Sequence, residues 1–180
     1  MRWPWNRPEP ALRVLMVCMG NICRSPTAEG VLRQRLQRAG LAEQVAVDSA
    51  GTYGGHVGDA PDPRAQKHAL QRGVDLSRLR ARKVTAEDFQ RFQLILAMDD
   101  DNLAALARLQ PPGTPPPRLL TEFARRPGAP REVPDPYYGG PDGFEHVLDL
   151  IEDACDGVLA HLRQRLQQRP QAPDPGNFRG

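Results

Sequence analysis

Residues 13–17, Arg13-Val14-Leu15-Met16-Val17, form a nearly continuous apolar run, and a helical repeat follows within a short loop. A strand with one wet face would alternate polar and apolar residues, so this run suits a parallel strand buried on both faces. Ala28, Val31, Leu32, Leu36 and Ala39 then recur at spacings of three and four, the period of an amphipathic helix. Ser25 reads as its N-cap, Pro26 as its first helical residue and Gly40 as its stop. A strand feeding directly into such a helix is the opening half of a β-α-β unit.

The pattern repeats downstream. Apolar runs at 45–49, 94–98 and 118–120 read as further strands, alternating with helices that Asp62-Pro63 and Asp99-Asp100-Asp101 open. Phe144, Val147, Leu148, Ile151, Cys155, Val158, Leu159, Leu162 and Leu166 lie on one stripe and predict a long final helix. The fold class is therefore α/β. Proline-rich stretches at 111–117 and 127–136 can be neither regular helix nor central strand. The 180 residues suit one domain, expected over 12–167, with flexible segments at 1–11 and 168–180.

Lys and Arg total 24 against 22 Asp and Glu, a net charge of +2 that gives no case for nucleic-acid binding. No apolar run reaches the ~20 residues of a membrane helix, so no membrane association is expected. Three cysteines, Cys18, Cys23 and Cys155, make neither a disulfide framework nor a zinc-ligand pattern. They point to a reducing, cytoplasmic setting and to thiol chemistry without a metal or cofactor.

That chemistry has an address. Cys18-Met19-Gly20-Asn21-Ile22-Cys23-Arg24-Ser25 joins the first strand to the first helix, where backbone N–H groups and the helix dipole converge on an anion. Gly20 and Asn21 tolerate the left-handed backbone that turns amides inward, and Met19 and Ile22 are expected to face away. Arg24 adds a planar fork for two phosphoryl oxygens. These positive surroundings predict a nucleophilic thiolate at Cys18, to which Ser25 donates its hydroxyl. Residues 19–25 are thus the candidate phosphate-binding residues. Asp135, between Pro134 and Pro136, is the candidate proton donor, with Tyr137 and Tyr138 beside it to wall an aromatic leaving group.

Cys18-x5-Arg24-Ser25 near the start, with Asp135-Pro136-Tyr137 far downstream, closely resembles the low-molecular-weight protein tyrosine phosphatases. The segments 47–52, 62–64 and 97–99 and the final helix extend the resemblance across about residues 12–167. It implies a three-layer fold, with a four-stranded parallel sheet, helices on both faces and the phosphate loop after the first strand. It further implies Cys18 as nucleophile, Arg24 as phosphate clamp, Asp135 as general acid and then base, and Cys23 as a redox guard. The expected substrate is a phosphotyrosine protein or aryl phosphate, and the expected state is a monomer.

Two positions depart from the pattern. Gly55 stands in Tyr53-Gly54-Gly55-His56-Val57-Gly58 where many relatives carry an aromatic wall, which leaves two readings, Tyr53 as the substitute or a wider slot. Leu79 stands where relatives often carry a histidine, so polar support for the loop must come from elsewhere. Related arsenate reductases share the loop but need further thiols, and Cys155 lies on an apolar stripe. Related arginine phosphatases carry threonine at the position of Ile22. A phosphopeptide-binding module without turnover usually lacks one of Cys18, Arg24, Ser25 and Asp135, and this chain carries all four. The basic run Arg78, Arg80, Arg82, Lys83 reads as a solvated face.

Overall fold

A computed structural model describes residues 7–137 and 139–170. Its parallel sheet has the order β2-β1-β3-β4, built from β1 (Leu12–Cys18), β2 (Val45–Gly51), β3 (Leu94–Ala97) and β4 (Arg118–Leu119). β1 is flanked by its sequence neighbour β2 on one side and by β3 on the other. The connections leaving β1 and β3, to β2 and β4, therefore run to opposite sides, which opens between their carboxyl ends the crevice where α/β sheets bind ligands. Cys18 is the last residue of that strand, in register with Gly51.

The apolar run of β1 is explained by burial on both faces. Val14 and Met16 face a core with Leu32, Leu36, Leu148 and Ile151 from α1 (Arg24–Arg38) and α5 (Pro141–Gln167). Leu15 and Val17 face the opposite core, with Ile95, Phe89 from α3 (Asp88–Arg91) and Leu106 from α4 (Asp100–Leu109). The remaining helix, α2 (Pro63–Gln71), is capped by Asp62, which accepts from the Arg64 N–H at 2.8 Å.

Several boundaries differ from the sequence reading. α1 starts at Arg24 with Cys23 as N-cap, so Ser25 and Pro26 lie inside its first turn. The reason is that the Ser25 hydroxyl is engaged by the phosphate loop and is not available to cap. Leu120 opens a short 3-10 turn, Leu120–Phe123, instead of extending β4. The flexibility expected of the two ends falls mostly on residues 1–6 and 171–180, outside the described residues. Within them, Arg169 donates to the Ala11 carbonyl at 2.5 Å, tying the end of α5 to the start of β1.

α5 packs so closely on the 3-10 turn that a methyl group at Gly157 would stand 1.8 Å from the Phe123 carbonyl oxygen. Backbone cannot yield as a flexible side-chain end does. Gly157→Ala is therefore expected to destabilise the fold by about 3 kcal/mol through overpacking. Denaturant unfolding would register this as a lower midpoint at unchanged slope, and an unchanged midpoint would contradict the close approach.

Candidate active site

The loop after β1 curls around the Cys18 sulfur. The Asn21 N–H lies 3.3 Å from Cys18 Sγ, and the Ser25 hydroxyl lies 3.0 Å from it. Asn21 takes the left-handed conformation, φ 56°, that the loop needs. Its side chain is fully used in holding that shape. Nδ2 donates to Ser25 Oγ at 2.8 Å and to Ser49 Oγ at 2.9 Å, while Oδ1 accepts from the Arg82 N–H at 3.0 Å. Ser49 in turn donates to Glu29 at 2.7 Å. Burial raises the Glu29 carboxyl above its usual range, although its ion pair with Arg33 at 2.6 Å works the other way.

This chain of bonds supplies the polar support that Leu79 does not. Ser49 lies in a segment the sequence reading matched without giving it a role, and Glu29 carried no signal beyond its place on α1. Both arrive through tertiary contact.

Arg24 is buried and held from outside the loop. Nη1 donates to Asp99 Oδ2 at 2.5 Å and to the Val133 carbonyl at 3.1 Å, and Nη2 lies 3.6 Å from Asp135 Oδ2. Burial opposes the guanidinium charge, but Cys18, Asp99 and Asp135 outweigh it and hold the group above its ordinary value. Asp99 also caps α4, accepting from the Asn102 N–H at 2.8 Å. One carboxylate thus joins a helix start to the arginine.

Asp135 reaches the cleft because its proline-rich loop is pinned at Val133. That residue is fully buried and donates its N–H to the Met98 carbonyl at 2.8 Å, prolonging the pairing at the end of β3. Asp135 then accepts from the Tyr137 N–H at 3.0 Å, an Asx-type turn that fixes its carboxylate. Arg64 lies over the Tyr137 ring at 5.4 Å and over Phe144 at 5.0 Å. Tyr138 lies outside the described residues.

Cys18, Arg24 and Asp135 meet in a cleft of about 220 Å³, walled by Tyr53, His56 and Tyr137. Met19 and Ile22, expected to face away, also line it. With the loop amides curled inward, side chains at the rim have nowhere to go but along the mouth of the cleft. The Tyr53 ring lies across Gly55, where a methyl group would stand 2.2 Å from it, and meets His56 edge-on at 6.4 Å. Glycine at 55 is what gives Tyr53 this place. The basic run is not one solvated face either, because Arg82 binds Asp48 and Asp88, both at 3.0 Å.

Cys23 belongs to the same loop after β1 and also lines the cleft. Burial first, then the charges of Asp62, Cys18 and Asp135, push its thiol up from 9.0 to about 12. A raised folded value means that the stability tied to this neutral thiol is complete below the unfolded value and is lost as pH climbs through the folded one. Unfolding free energy is therefore expected to decline between about pH 9 and 12, with a shallower decline in Cys23→Ala. Denaturation at stepped pH would measure both, and parallel curves would contradict the assignment.

A buried thiol met by a loop amide and a serine hydroxyl, an arginine locked at one edge and a carboxylate on a facing loop make the site of a cysteine-based phosphatase on a parallel α/β sheet. The sequence matches the family "Low molecular weight phosphotyrosine protein phosphatase" over residues 13–168. It is 44% identical to a low-molecular-weight protein-tyrosine-phosphatase of Streptomyces coelicolor over 160 residues, covering 87% of this chain and 97% of the relative. The fold superposes on a crystal structure of protein tyrosine phosphatase from Entamoeba histolytica with Hepes in the active site. That match has a TM-score of 0.82 and 38% identity, and covers 86% of this chain and 99% of the other. YfkJ from Bacillus subtilis matches with a TM-score of 0.81 and 34% identity, over 89% and 99%. The chain belongs to the low-molecular-weight phosphotyrosine protein phosphatase family.

Proposed function

We propose that this enzyme hydrolyses phosphotyrosine in protein substrates, and aryl phosphate monoesters generally, through a phosphocysteine at Cys18. The observation that carries the reading is the convergence of Cys18, Arg24 and Asp135 on one aromatic-walled cleft at the end of the central strand. In the first step the Cys18 sulfur attacks phosphorus as the P–O bond to the leaving group breaks. Asp135 delivers a proton to the departing oxygen. Water then attacks phosphorus, gives its proton to Asp135, and the S–P bond breaks to release phosphate. The Ser25 hydroxyl, 3.0 Å from Cys18 Sγ, stabilises the sulfur as it leaves.

Arg24 holds two phosphoryl oxygens and, with the loop amides of residues 19–25, stabilises the charge of the transferring group. Tyr53 and Tyr137 flank the ring of the leaving group. Cys23 is proposed as the partner that traps oxidised Cys18 in a reversible disulfide, its neutral thiol being no rival nucleophile at ordinary pH. Three free cysteines fit a reducing compartment.

The test is rapid acid quench during turnover of phosphotyrosine and phosphoserine peptides. A phosphoenzyme that maps to Cys18, with phosphotyrosine much preferred, is the expected result. Turnover with no phosphorylated cysteine would overturn the mechanism.

A further inference from the structure

Within the basic run 78–83 the side chains are held in different ways, and Lys83 lies against the loop that carries Tyr53. Arg82 is paired with Asp48 and Asp88, and Arg80 donates to the Ser77 and Leu79 carbonyls at 2.9 and 2.6 Å. Lys83 instead runs along the loop that carries Tyr53, so that a methyl group at Gly54 would stand 3.3 Å from its Cδ. It lines a groove of about 490 Å³ with Thr52, Val84, Arg108 and Leu109. Thr52 lines this groove and its chain neighbour Tyr53 walls the catalytic cleft, so one loop borders both.

The groove has a definite chemical character. Lys83 and Arg108 are both exposed, neither has a carboxylate partner among the described residues, and no carboxylate lines the groove. The floor between them is apolar, from Val84 and Leu109. Arg108 stands nine residues beyond Asp99, the residue that anchors Arg24, which along a helix is ~14 Å. An extended peptide covers that distance in about four residues.

We propose that this groove receives the chain beside the phosphotyrosine of a protein substrate and selects acidic side chains within about four residues of it. The proposal rests on the phosphatase reading and adds a substrate class to it. Lys83 meets the nearer acidic residue and Arg108 the farther one, while apolar stems cover the floor. Because both cations are exposed, their contribution is electrostatic guidance of modest size, screened by salt.

The experiment compares kcat/KM on phosphotyrosine peptides whose flanks are acidic or neutral, on the N-terminal or C-terminal side, with an aryl phosphate as reference. The wild type is expected to prefer acidic residues on one side by about five- to tenfold at low salt, mainly through KM. Lys83→Glu/Arg108→Glu, and separately Lys83→Gln/Arg108→Gln, should erase that preference and leave the aryl phosphate unchanged. Equal rates on acidic and neutral peptides in the wild type, or equal losses on both in the variants, would overturn the groove assignment. A wild type inactive on aryl phosphate would instead sink the phosphatase reading, and the groove proposal with it.

Discussion

Cys18→Ser is expected to lose turnover of aryl phosphates by about 10⁴-fold or more while still binding inorganic phosphate. The serine hydroxyl would occupy the same place at the end of β1, within reach of the Asn21 N–H and the Ser25 hydroxyl. A neutral hydroxyl is a far weaker nucleophile than a thiolate, and this site offers it no histidine base among the residues lining the cleft other than His56, which is engaged with Asp59 at 3.2 Å. The phosphate cradle does not depend on sulfur. Arg24 keeps its anchors in Asp99 and Val133, and Asn21 keeps its bonds to Ser49 and to the Arg82 N–H. Steady-state kinetics together with calorimetric titration of phosphate separates chemistry from binding. Retained turnover would remove Cys18 as nucleophile, and loss of phosphate affinity along with rate would mean that the loop itself had collapsed.

Asp135→Asn should depend on the leaving group. Expelling a phenoxide such as that of tyrosine calls for a proton, whereas a nitrophenolate leaves readily as an anion. The expected loss is about 10²- to 10³-fold in kcat on phosphotyrosine, and much less on nitrophenyl phosphate. Asparagine suits the test because its Oδ1 can still accept from the Tyr137 N–H, the 3.0 Å bond that sets the turn. The buried Val133 anchor is likewise untouched. Loop geometry is thereby kept while the transferable proton is removed. Equal losses on the two substrates would assign Asp135 to positioning and not to proton transfer.

The two variants probe parts of the site that differ in how they were encoded. Cys18, Arg24 and Ser25 are neighbours in sequence, and a strand, a glycine-containing turn and a helix start are local patterns. Asp135 was legible only as a carboxylate between prolines, supported by resemblance. Its approach to Arg24, 3.6 Å apart across 111 positions of sequence, depends on Val133 docking against β3. Errors at this level were also local. Serine before a helix predicts a cap at Ser25, but the loop has a prior claim on its hydroxyl. Inward-turned amides predict that Met19 and Ile22 face away, but the same curl brings both side chains to the mouth of the cleft.

The sequence by itself determined the α/β class, the site at the end of the first strand and the chemistry of a thiol with an arginine. Periodicity and adjacency carry those, since burial on two faces demands a continuous apolar run and an anion cradle demands amides before a helix. Only the tertiary structure decided what holds the cradle and shapes the cleft. Ser49 and Glu29 brace Asn21, Asp99 and Val133 lock Arg24, and Tyr53 lies over Gly55. Most of these contacts join segments far apart in the chain, and even the packing of Tyr53 on Gly55 follows from the path of its loop. They form only when the sheet and its loops bring the partners together.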